Sequence, residues 1–171
     1  MCRRPTHLLG RYASLTALNA AGDLKIDDSY TVAEVDVLQG MKAAVQQADQ
    51  THREGFHKAV AGDPGTLWVP VVTACALAQH DDRGYFTSRA VENELNRLIP
   101  NRKVVQQTFS YHLGELTTGV RGPLLDRQGP ERRYLYRFMD PLMRPYIIMR
   151  AEAEGRYTAV QTEPPPNSLP R

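Results

Sequence analysis

Cysteine is scarce in this chain. Cys2 and Cys75 are the whole supply in 171 residues, so no disulfide framework can be built. Cys75 falls inside an apolar helical run, where a thiol packs as a small hydrophobe, and a reducing compartment is expected. Long hydrophobic runs are missing too. None approaches the roughly 20 residues that span a bilayer, and Met1-Cys2-Arg3-Arg4 is not followed by an apolar signal core. A soluble, cytoplasmic protein with no membrane partner is expected. Excess charge of one sign is also absent: the net formal charge is +2, which gives no global electrostatic case for nucleic acid. The five histidines lack ligand-type spacing with cysteines or carboxylates. No Ser-His-Asp or paired-carboxylate arrangement follows from spacing, because Asp81-Asp82 reads as a helix-ending turn. No catalytic activity, metal or cofactor is expected.

What is present is an apolar share of 42 %, enough for a core and too high for a disordered chain. The charge is unevenly spread. Residues 101–150 hold nine basic side chains against four acidic ones, and the remainder holds twelve against fifteen. A helical pattern over 5–21 is followed by a second from about Thr31 or Ala33 towards Arg53. In the second, Val32, Val35, Leu38, Met41 and Val45 are expected to face inward. Ala61-Gly62-Asp63-Pro64-Gly65 is the clearest boundary and divides a helical segment over 1–61 from a domain over 65–157. A third helix is expected over Leu67–His80, with Trp68, Val71, Val72, Cys75 and Ala78 buried and Pro70 in its first turn. Tyr85-Phe86 reads as a very short strand, and Thr87 or Ser88 as the cap of a fourth helix with Val91, Leu95 and Leu98 inward. After Pro141 and Pro145, Leu142 and the run from Tyr146 to Met149 should pack back on the core. Residues 158–171 read as a disordered Pro-rich tail.

The stretch from Asn101 to Met139 carries the chemistry. Lys103 to about Thr117 has apolar positions Val105, Phe109, His112/Leu113 and Leu116 at steps of three and four, so one face is buried. The opposite face presents Lys103, Gln106, Gln107 and Ser110. Two β-type runs around Gly129-Pro130 then form a hairpin, with Arg127, Arg132 and Arg133 on it. Alternation sends Arg133, Leu135 and Arg137 to one side and Arg132, Tyr134, Tyr136 and Phe138 to the other, with Tyr136 and Phe138 as core aromatics. Helix, short strand, helix, turn, helix, hairpin is the order of a winged helix-turn-helix. The expected fold is therefore mostly α: a winged helix-turn-helix preceded by a two-helix segment.

The runs Ala74-Cys-Ala-Leu-Ala78, Gly84-Tyr-Phe-Thr87, His112-Leu113 and Tyr134-Leu-Tyr-Arg-Phe-Met-Asp-Pro-Leu-Met-Arg-Pro-Tyr-Ile-Ile-Met149 together resemble the C-terminal end of AAA-type ATPases related to initiator and defence ATPases. In that family a winged helix follows the nucleotide-binding lid. Arg4-Pro5-Thr6-His7-Leu8-Leu9-Gly10 and the Ala-rich run after it are similar to the last part of such a lid. The resemblance covers about residues 3–157. It implies a truncated relative, because the chain has no G-x-x-x-x-G-K-[ST] phosphate loop. Arg4 matches the position from which the family's lid helix can reach a γ-phosphate. Without the loop it is expected to be a vestige, or to complete a site on another chain.

Two functions remain open. In one, Lys103, Gln106, Gln107 and Ser110 enter the major groove of double-stranded DNA while Arg127, Arg132 and Arg133 meet its backbone. In the other, the same fold is a protein-interaction module that docks on an ATPase core or forms a homo-oligomer.

Overall fold

The computed structural model describes residues 34–46, 48, 50–62, 66–131 and 133–156. Over these the chain forms six helices and one small sheet. The elements are α1 (Glu34–Gln46), α2 (Gln50–Val60), α3 (Trp68–Leu77), β1 (Phe86–Thr87), α4 (Ser88–Leu98), α5 (Gln106–Glu115), β2 (Leu125–Gln128), β3 (Leu135–Phe138) and α6 (Met143–Ala153). The expected helix over 5–21, Arg4, Arg132 and the tail lie outside the described residues.

α3 organises the rest. Its sequence is apolar on every side, and a helix of that kind must be surrounded. Trp68 and the run from Val71 to Ala76 are all buried, and α2, α4, α5 and α6 pack around them. Pro70 sits in the first turn, where no intrahelical donor is lost. Phe56 and Ala59 of α2 belong to the same core as Val71, Leu95, Phe109 and Tyr146, so one core crosses the 61–65 interval.

α4 begins where β1 ends. Thr87 is extended (φ −103°, ψ 157°), and its hydroxyl accepts the backbone N–H of Ala90 at 3.2 Å, capping the helix. Before it, Asp81 accepts from the backbone N–H groups of Arg83 and Tyr85 at 2.9 and 2.8 Å. That Asx-type turn, with Gly84 at φ +82°, turns the chain into β1. The sheet order is β1–β3–β2, antiparallel throughout, with Phe86 opposite Tyr136 and Leu125 opposite Phe138. Burial alternates along β3: Tyr136 and Phe138 are in the core, Leu135 and Arg137 outside.

Several expectations are corrected. The helix over Lys103–Thr117 is shorter and starts at Gln106, so Lys103 lies in the preceding turn. Val105, expected inside, is 39 % exposed, and Val104 is the valine that is fully buried. Val105 is the extended N-cap, outside the helical periodicity, so it does not join the inward face of Phe109, Leu113 and Leu116. The helix expected from Thr31 or Ala33 towards Arg53 is two helices, α1 and α2, separated between Gln46 and Gln50. Val35 and Leu38 are exposed rather than inward: α1 packs on α6, and Ala44 is buried. Leu142 is exposed just before α6, whereas Met143, Tyr146, Ile147 and Met149 are buried.

Candidate nucleic-acid interface

The turn between α4 and α5 is fixed by one side chain. Asn96 donates from Nδ2 to the Val104 carbonyl at 2.9 Å, and its Oδ1 accepts the Val104 N–H at 2.9 Å. Its Nδ2 also lies 2.8 Å from the Glu92 carbonyl within α4. Both backbone groups of a buried residue are thereby satisfied, which the core requires. The bracket sets the angle at which α5 leaves α4.

α5 presents its first turn without a cap. Val105 offers no side-chain hydrogen bond, and the first turn has no acidic residue. The leading N–H groups and the positive end of the helix dipole are therefore not neutralised from within the helix.

Facing α5 is the inner side of the hairpin. Directly opposed residues share a face, so Leu125 and Phe138 lie inward, and Arg127 with Tyr136 and Tyr134 continue that face towards the turn. Leu125 and Phe138 are buried against the core; Arg127 is exposed because the hairpin extends past it. Between hairpin and α5 lies an open cleft of about 570 Å³, lined by Ser88, Gln106, Gln107, Ser110, Leu113, Gly114, Arg127, Glu131, Tyr134 and Tyr136. The Arg127 guanidinium lies 4.3 Å over the Tyr134 ring, a cation–π contact between two residues that line the cleft. The Tyr136 hydroxyl is hydrogen-bonded to Ser88, and burial pushes its pKa upward.

Of the residues singled out from sequence, Gln106, Gln107, Ser110 and Arg127 meet in this cleft. Lys103 and Arg133 are exposed but do not line it. Ser88, Gly114, Glu131 and Tyr134 were not singled out for the site, nor was Asn96 for holding it. Tyr134 had a signal, since it alternates with Tyr136 and opposes the arginine strand. Asn96 had only its place beside Leu95 on an otherwise amphipathic helix.

Four of the nine basic residues over 101–150 are engaged within the molecule. Arg121 lies 3.5 Å over the Trp68 ring and donates to the carbonyls of Ala59 (3.1 Å) and Ala61. Arg144 donates to the Ala76 carbonyl at 2.9 Å, at the C-terminal end of α3. Arg150 lies over Phe56 at 4.4 Å and pairs with Glu154 at 2.8 Å. Arg137 pairs with Asp126 on the outer face of the hairpin at 3.1 Å.

Three of the described histidines are tied into the fold. His112 lies 4.3 Å from Trp68, centroid to centroid, with Nδ1 buried and unpartnered among the described residues. Burial, with Arg121 nearby, lowers its pKa. His80 contacts Phe86, and its Nδ1 is bonded to the Ala78 carbonyl. Burial, with Arg144 nearby, lowers its pKa to about 4. His52 is bonded to Asp140 at 2.8 Å, joining α2 to the turn before α6. Among the described residues no group of three or more His, Cys, Asp or Glu could hold a metal ion, and no helix is long and apolar enough to cross a membrane. Comparison of the chain with protein-family models, curated proteins and solved structures finds no match.

Proposed function

We propose that this chain is a non-catalytic winged helix-turn-helix module that binds double-stranded DNA, with α3, α4 and α5 as its three helices, α5 as the recognition helix and β2–β3 as the wing. The element order and the β1–β3–β2 sheet support the fold reading. One observation carries the functional reading: Gln106, Gln107 and Ser110 of α5 share a cleft with Arg127 of the hairpin, and all four are exposed. Glutamine amides suit base edges, Arg127 suits a phosphate or guanine, and the uncapped start of α5 suits a phosphate. Lys103 and Arg133 add charge outside the cleft, and Arg132, adjacent to Arg133 in the sequence, is counted with them. The sequence resemblance to the C-terminal end of AAA-type ATPases supports a role in regulating such an enzyme, and by that resemblance Arg4, outside the described residues, is a vestigial nucleotide sensor.

Fluorescence anisotropy with a labelled duplex tests this. Affinity should fall steeply between about 50 and 200 mM salt, because phosphate contacts release counterions. Arg127→Ala should weaken all duplexes alike and lower the salt slope by about 1. Gln107→Ala should relax base preference by about 1–3 kcal/mol at one position. No binding at micromolar protein, or binding indifferent to salt, removes the DNA reading.

Val35 and Leu38, exposed on α1 at 55 % and 36 %, favour a second reading in which this end docks on an ATPase core or on another copy. Sedimentation velocity separates the versions: a clean monomer at high concentration eliminates self-association.

A further inference from the structure

The cleft between α5 and the hairpin contains a carboxylate. Glu131 is exposed in the hairpin turn and lines the same cleft as Gln106, Gln107, Ser110 and Arg127. Its place is constrained: Gly129 stands at φ +97°, where an added Cβ would come 2.9 Å from the Arg133 carbonyl oxygen. The Arg133 N–H closes the turn on the Pro130 carbonyl at 3.0 Å. Glu131 makes no ion pair with a described residue, and Arg127 is laid over Tyr134 rather than paired with it. The other polar lining groups are neutral hydroxyls and amides, so the cleft's formal charges cancel to zero. A groove meant to hold a phosphate chain needs an excess of positive charge. Here the uncancelled cations, Lys103 and Arg133, stand outside the cleft, and the interior offers donors and acceptors in balance.

We propose that Glu131 is a specificity-determining residue: its carboxylate turns phosphate away from its own end of the cleft and accepts a hydrogen bond from an exocyclic base amine, cytosine N4 or adenine N6. The inference rests on the duplex-binding reading. It divides the work within that surface: backbone contacts fall to Arg127 and the flanking cations, and base-edge contacts to Gln106, Gln107 and Glu131. A carboxylate accepts from cytosine N4 and cannot accept from thymine O4, which is itself an acceptor. The same charge opposes phosphate wherever the backbone strays inward, so it suppresses binding in the wrong register.

Two variants separate its roles. Glu131→Gln removes the charge and keeps an acceptor, and Glu131→Ala removes both; the side chain is exposed, so both should fold, as circular dichroism would verify. At about 50 mM salt, Glu131→Gln should bind a random-sequence duplex about fivefold tighter than the unsubstituted chain, the factor for one unit charge opposed near contact in water. The gain should shrink by about 200 mM as screening sets in. In selection from a randomised duplex library, the unsubstituted chain and Glu131→Gln should enrich cytosine or adenine at one position, and Glu131→Ala should lose that enrichment. If both variants bind and select like the unsubstituted chain, the role of Glu131 is overturned while duplex binding stands. If the unsubstituted chain binds no duplex, the underlying reading fails, and Glu131 with it.

Discussion

The α2–α3–α6 side of the molecule and the α5–hairpin side are both rich in side chains that can meet an anion, yet they use them in opposite ways. Arg121 and Arg144 each end on backbone carbonyls, Arg121 and Arg150 lie over aromatic rings, and the chain depends on them to close its own core. Arg127, Gln106 and Gln107 end in an open cleft. A run of basic sequence therefore says little about a ligand until each guanidinium has been followed to its partner. The cluster over 101–150 contains both kinds.

The comparison can be broken by substitutions that should affect one property and leave the other alone. The largest effect is expected at the joint between the two sides. Asn96→Ala leaves the N–H and carbonyl of buried Val104 unpaired and should cost about 2–4 kcal/mol in urea unfolding. Because it frees the angle of α5, it should also weaken duplex binding. Arg121→Ala comes next: losing its carbonyl bonds and its place on Trp68 should cost about 2 kcal/mol, with duplex affinity unchanged. Arg127→Ala should do the reverse, changing stability by less than about 0.5 kcal/mol while weakening binding. If the two arginine variants behaved alike, the division between the sides would be wrong.

Acid should act on the interior side, more gently. The His80 pKa is lowered from 6.5 to about 4 in the folded chain, so between those values the unfolded chain binds the extra proton. Stability should therefore be full above about pH 6.5 and decline as the pH falls towards 4. His112 is shifted in the same direction and adds to the decline. Solvent reaching His80 screens part of the effect, so it should be smaller than the losses at Asn96 and Arg121. His80→Gln should flatten the pH dependence of the urea midpoint in that window.

Much of the architecture could be read from residue patterns. The stripe of α3, the cap at Thr87, the inward phase of α4 and the alternation in β3 all follow from local periodicity, and the structure places them accordingly. The misplaced residues lie where two periodic segments meet. Val104 and Val105 are adjacent valines, and which one is buried depends on where α5 starts, which Asn96 decides from eight residues away. The exposure of Val35 and Leu38 is likewise set by the way α1 lies on α6, a tertiary choice with no local signature. For the site, Gln106, Gln107, Ser110 and Arg127 were legible as polar positions on two elements. Glu131 was not, because nothing in a turn sequence tells which groove the turn overhangs.

With both backbone groups of Val104 bound by Asn96, the angle of α5 is held within the chain itself, before any partner arrives. Ordering entropy for this joint is then part of folding, and association does not have to supply it again. Docking at this surface should be a rigid-body event, with a heat-capacity change that follows the apolar area covered and carries no added contribution from a segment folding on contact.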